Sequence, residues 1–192
     1  SLHVRQHPEH ALVTSPNREK SRKPIDPPPI VQLTVHDDRH GSHSNWLVNP
    51  FLFMNALLVD GEKDAAEGEE GEESTKESHD DDSPTLLPRN SLLGQNVSSL
   101  HRLKDMNDED AGFFVFGDMS CRRLGTFRIQ FNLFDYDRLH ATVVFVRSIT
   151  SQPFHVLPHK DFRGLMQSTH LSRAFSEQGV RLRTRKEHRT AS

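Results

Sequence analysis

One cysteine, one tryptophan and one tyrosine stand in 192 residues. A single thiol, Cys121, rules out an intramolecular disulfide and any zinc site built on several cysteines. It fits a reducing compartment, cytosol or nucleus. Apolar residues make up only 33% of the chain, so part of its length is not core. No apolar run approaches the ~20 residues that cross a bilayer as a helix, and no signal-peptide pattern opens the sequence. The first residue is Ser rather than Met, as in a fragment of a longer protein. A phosphate-binding glycine loop, a nucleophile elbow and a metal motif are all missing, which argues against an enzyme, a cofactor or a small-molecule substrate.

Charge is present but unevenly placed. The formal net charge of −3 hides an acidic stretch, "DGEKDAAEGEEGEESTKESHDDD" at 60–82. It holds 12 of the 27 acids and 2 of the 24 bases, leaving 22 bases against 15 acids elsewhere, a net +7. Nothing in that stretch can bury. It reads as a disordered, low-complexity acidic insertion in a surface loop, spanning 61–90 with its flanks.

The remainder is rich in strand signals. "SLHVRQHPEHALV" (1–13) suggests a short strand interrupted by Pro8, and "IVQLTV" (30–35) is strand-like. "PFLFMNALLVD" (50–60) fits a strand buried on both faces better than a buried helix, because turn signals bound it. "GFFVFGD" (112–118) is a short aromatic strand between glycines, and "TVVFVRSI" (142–149) is strongly β-prone. In "TFRIQFNLFDYD" (126–137), Phe127, Ile129, Phe131 and Leu133 alternate with Arg128, Gln130 and Asn132, which predicts an inward and an outward face. "STHLSRAFSEQG" (168–179) predicts one helix, capped by Ser168 or Thr169 and stopped by Gly179. "VRLRTR" (180–185) alternates again and predicts a last strand. The fold class is mainly β: an antiparallel sandwich with one short C-terminal helix.

"RKPIDPPPIVQL", "NPFLFMNALL", "SSLHRLKDMNDEDAGFFVFGDMSCRRLGTFRIQFNLFDYD" and "FRGLMQSTHLSRAFSEQGVRLRTRKE" resemble successive blocks of the velvet domain of fungal regulators. The resemblance runs from about Val4 to Lys186, breaks only at the acidic insertion, and is closest to the spore-viability branch. It implies a single velvet domain over 1–189 with 190–192 as a tail. The implied fold is an immunoglobulin-like sandwich similar to the Rel-homology domain. It also implies a nuclear role, with a possible cytoplasmic pool, in development, sporulation and secondary metabolism. The implied partners are double-stranded DNA and another velvet protein, as a homo- or heterodimer, with no membrane. An alternative is an interaction module whose DNA contact comes mainly from its partner.

The family's DNA-contacting segment precedes its DPPP block. By position this gives Arg18, Lys20, Arg22 and Lys23. On the residues alone, that loop reads first as a solvated loop, because basic runs are common, and second as cations held by the Pro24–Pro29 segment for phosphate contact; the resemblance is what favours the second. The prolines could instead be a ligand for a proline-binding module. Arg181, Arg183 and Arg185, followed by Lys186 and Arg189, would place three guanidiniums on one strand face, a weaker candidate for DNA contact or a nuclear-import patch. "HRLK" (101–104) is a small basic group. His36, His40 and His43, and separately His155 and His159, lack a stiff frame for a metal. Phe113, Phe114 and Phe116 are chiefly core side chains that could reach a dimer face.

Overall fold

In the computed structural model, residues 1–35, 45–61 and 85–185 are described. The "HDDRHGSH" histidines, most of the acidic stretch, Lys186 and Arg189 lie outside them. Twelve strands and one α-helix appear among the described residues. In chain order they are β1 (Leu2–Gln6), β2 (His10–Leu12), β3 (Ile30–Leu33), β4 (Leu52–Asp60), β5 (Leu92–Gly94), β6 (Val97–Ser99) and β7 (His101–Lys104), then β8 (Asp110–Val115), β9 (Met119–Cys121), β10 (Gly125–Asp137), β11 (Thr142–Thr150), β12 (Phe154–Leu157) and α1 (His170–Glu177).

Two sheets face each other. One runs β1-β3-β8-β7; the other runs β2-β12-β10-β4-β6, with β11 also paired to β10. A two-stranded β5-β9 ribbon closes one side. All pairs are antiparallel except β2 with β12. The alternation of β10 decides its packing: Phe127, Ile129, Phe131 and Leu133 are all buried, in one core cluster with Met54, Leu58 and Phe114. Phe116 and Phe131 meet across the sandwich with ring centroids 5.1 Å apart. β4 is a strand, as expected, but its burial alternates rather than covering both faces.

β8 is the strand buried on both sides. Phe114 enters the central core, while Phe113 and Val115 join Ile30, Leu103 and Phe175 in a second cluster beneath α1. The Phe113 and Phe175 rings meet at a tilt, centroids 4.6 Å apart. Period two explains the split: odd and even side chains leave opposite faces of the strand, and both faces are covered. The expectation that Phe113, Phe114 and Phe116 could reach a dimer face is therefore corrected, since none is more than 1% exposed.

The helix ends follow their residue chemistry. Thr169, not Ser168, caps α1 by accepting a hydrogen bond from the Ser172 amide at 3.1 Å. Gly179 (φ +93°) then turns the chain out of the helix. The predicted last strand over 180–185 does not form. The Val180 amide is spent on the Phe175 carbonyl and the Arg185 amide on Ser168 Oγ, and no strand edge among the described residues pairs with the segment. Alternation alone cannot make a strand without a ladder partner.

The body of the fold resumes earlier than the expected 61–90 insertion would have it. The Asp60 amide donates to the Thr85 carbonyl at 3.1 Å, and Leu86 bridges Val59. The two ends of the undescribed stretch thus sit side by side on β4. Deleting 62–82 should leave the thermal midpoint within about 2 °C of the parent, because no core residue is lost and the loop is already closed at its base. Differential scanning calorimetry of both chains checks this; a fall of ~10 °C would contradict it.

Candidate nucleic-acid interface

The basic loop is a short 3₁₀ segment, Pro16–Ser21, followed by an anchored exit. Pro16 suits the first turn, where a missing amide costs nothing. The chain is then gripped by backbone bonds from Ile25 to the Met119 carbonyl and from Asp26 to the His10 carbonyl. Pro24, Pro27 and Pro29 are buried, which removes the reading of the proline run as an exposed ligand for another module. Arg18, Lys20 and Lys23 are exposed, and none has an ion-pair partner among the described residues.

Arg22 is different. Its guanidinium makes a bidentate pair with Asp118, at 2.7 and 2.6 Å. That hydrogen bonding holds the Asp118 carboxyl below its ordinary range, with Arg183 and Arg181 adding to the effect, and it raises Arg22 further. A second link joins Glu19 to Arg122. Two glycines make room for these contacts. A Cβ on Gly94 would lie 1.8 Å from the Asp118 carbonyl oxygen, and one on Gly117 would lie 2.7 Å from the Leu182 side chain.

The Gly117 approach lets the 180–185 segment lie over the turn before β9. The structure thereby brings together two basic segments about 160 residues apart in sequence, with Arg22, Arg181 and Arg183 grouped around Asp118. Beside them is a groove of about 260 Å³ lined by Gln95, His101, Arg181 and Arg183. Burial pushes the His101 imidazole down, which favours its neutral form. The loop and the residues linked to it through Asp118 and Glu19 together carry seven bases (Arg18, Lys20, Arg22, Lys23, Arg122, Arg181, Arg183) against those two acids.

Arg185 does not belong to this set. Its guanidinium donates to Asp26 Oδ1 at 2.5 Å and to the Met166 carbonyl, neutralising a carboxylate that is 2% exposed. The expected row of three guanidiniums on one strand face is corrected accordingly: Leu182 packs inward, and Arg181 and Arg183 project from irregular backbone. Sequence reasoning missed Asp118, Glu19 and Arg122, because their pairings join positions about 100 residues apart. In "HRLK", Arg102 pairs with Asp110 and Lys104 with Asp108, so that basic group is locally neutralised. His155 is within 3.0 Å of Thr126 Oγ1. No group of metal-ligating side chains occurs among the described residues. Cys121 is buried, and burial pushes its thiol up, so it is a packing residue.

The sequence pattern of the family described as Velvet factor matches residues 1–189. "Spore development regulator VOSA" of Pyricularia oryzae is 46% identical, with 98% of this chain and 33% of that protein aligned. "Spore development regulator RYP2" of Ajellomyces capsulatus is 43% identical over 98% of this chain and 44% of its own length. A protein of Chaetomium globosum whose name makes it a component of the velvet complex is 42% identical over 100% of this chain and 38% of its own. The chain thus spans between about a third and a half of these curated relatives.

Proposed function

The chain belongs to the Velvet factor family, and from that premise we propose that it is a sequence-specific DNA-binding regulator of fungal development, sporulation and secondary metabolism. In this reading it acts in the nucleus as a homo- or heterodimer with another velvet domain, and its role is regulatory rather than enzymatic. The names of relatives, as spore development regulators and as a component of a velvet complex, support the regulatory role and the velvet partner.

The observation that carries the DNA half is the convergence of the Pro16–Lys23 loop with Arg181 and Arg183 on one surface. Duplex DNA presents a dense row of phosphates, and affinity for it grows with each cation that displaces a condensed counterion. Arg18, Lys20 and Lys23 are exposed and free to do so. Arg22 is oriented by Asp118, which accepts from both of its terminal nitrogens, so any contact it makes to DNA uses its remaining N–H groups.

A second reading has an observation of its own. Glu19 and Asp118 offset two of the loop's neighbouring cations, which weakens the field of the isolated domain and favours DNA contact shared with a partner. Gel shifts of the chain alone and with a second velvet domain, repeated at several salt concentrations, separate the two. Binding by the chain alone with a steep salt slope supports the first. Binding only in the mixture supports the second.

A further inference from the structure

The basic loop opens with "TSPNR" (14–18), and the DNA reading leaves its serine unused. Ser15 is exposed, and its hydroxyl caps no amide of the 3₁₀ segment that follows. Ser21, at the far end of that segment, is engaged: its Oγ donates to the Arg18 carbonyl at 3.2 Å. The backbone of Ser15 is extended, φ −74° and ψ 149°, as the proline after it favours. Pro16 follows the serine directly, and Arg18 stands three residues beyond it. The sequence has one other Ser-Pro step, Ser83-Pro84, where the third residue on is Leu86.

The local backbone makes this serine reachable. The turn over Ser15–Arg18 is closed by the Arg18 amide donating to the Ser15 carbonyl at 2.9 Å, and no side chain of Pro16–Ser21 is buried. Arg18 itself departs from helical backbone, with φ −125° and ψ 22°, so the segment is broken at that point. Drawing these residues out into an enzyme cleft is a local opening, far cheaper than unfolding the sandwich. The neighbouring residue types then select the enzyme. A proline just after the acceptor has no amide to donate, so it suits a cleft that offers that position no acceptor. A guanidinium three residues on suits an anionic groove, where it makes charge-assisted bonds.

We propose that Ser15 is a phosphorylation site for a proline-directed serine/threonine kinase, and that its phosphate weakens the adjoining basic surface for DNA. The second half rests on the DNA-binding reading above. In the transfer, Ser15 Oγ bonds to the γ-phosphorus of ATP. That phosphorus parts from the β,γ-bridging oxygen, ADP leaves, and the hydroxyl proton passes to the kinase's catalytic carboxylate. The product carries a charge of about −1.5 to −2 at pH 7. It falls among cations. Arg18 and Lys20 lie on the same segment, and the parallel bridge of Val13 with Cys121 sends Ser15 out of the sheet in the same direction as Arg122 and Arg123. The surface's excess of five positive charges, seven bases against two acids, would drop to about three.

The test incubates the chain with a cyclin-dependent kinase, Mg²⁺ and ATP, and places the phosphate by intact mass and peptide mapping. The parent should be modified on Ser15, and Ser15→Ala should lose that phosphate. Pro16→Ala and Arg18→Gln should each slow the modification by about tenfold or more, while Ser83→Ala should leave its rate unchanged. No phosphate on Ser15, or a rate indifferent to both Pro16→Ala and Arg18→Gln, overturns the site. Gel shifts at 0.1 M salt then compare the phosphorylated parent with the untreated one. Phosphorylation should weaken duplex binding about tenfold and flatten the salt slope by ~1.8, at ~0.9 for each charge offset. Ser15→Ala taken through the same reaction should bind as before, and circular dichroism should show all forms folded. A phosphorylated parent that binds as tightly as the untreated one overturns the switch and leaves the DNA reading standing. An untreated chain that binds no duplex, alone or with a second velvet domain, overturns the DNA reading and the switch with it, while the mapped phosphate still decides the site.

Discussion

Changing Arg18, Lys20 and Lys23 together to Glu should weaken binding to duplex DNA at 0.1 M salt by two orders of magnitude or more. It should also flatten the slope of log affinity against log salt by about 2.7, at ~0.9 for each phosphate no longer neutralised. These three cations are exposed and unpartnered among the described residues, so their charge is available to a polyanion. Arg22 is left in place because Asp118 already supplies its counter-charge, and its loss would mix altered loop geometry with altered charge. Folding stability should stay within ~0.5 kcal/mol, as for other exposed substitutions. The matching control, Arg181→Glu with Arg183→Glu, should have a smaller effect on both affinity and slope. Unchanged affinity and slope in a folded triple variant would take the loop out of the interface and leave the cations as a solvated surface.

Phe131→Ala should destabilise the domain by about 3–5 kcal/mol, the range for deleting a fully buried aromatic side chain. Phe131 lies at the centre of β10, opposite Ala56 of β4, and its ring meets Phe116, just past the end of β8. Ala56 is too small to expand into the vacated space, so a cavity should persist. Urea unfolding monitored through the single tryptophan measures the change. A loss below ~1 kcal/mol would mean that the sandwich can collapse around the gap. The adjacent change Gln130→Ala, on the half-exposed face, should cost far less, which separates burial from any general effect of altering the strand.

β10 shows why much of this fold was legible from the chain alone. A strand with one covered face must alternate, and the four residues that alternate inward do so in the structure. The helix was legible for a similar reason, since a capping hydroxyl and a terminal glycine act within a few residues of each other. What stayed hidden depends on neighbours distant in sequence. Residues 180–185 alternate as a strand does, yet the segment joins no edge, and its apolar residues fill the gap beside α1 instead. The aromatic run of β8 has no outward face because α1, about 60 residues later, covers it. In the candidate site, Arg18, Lys20, Arg22 and Lys23 were nameable from their place before DPPP. That Arg22 is braced, that Arg181 and Arg183 stand beside it, and that Arg185 is withdrawn could not be read from local pattern.

The pairing of Arg185 with Asp26 bears on where a minimal domain can be cut. α1 ends at Glu177, and a boundary drawn from secondary structure would fall soon after it. Such a truncation would strand a carboxylate that is 2% exposed without its cation, the kind of change that typically costs ~3–5 kcal/mol. It would also strip Val180 and Leu182 from the cluster beneath the helix. The N-terminal DPPP block and the basic stretch after the helix therefore form one structural unit despite lying at opposite ends of the sequence. A protease that clips between Gly179 and Arg185 would act as an unfolding signal rather than as the trimming of a tail.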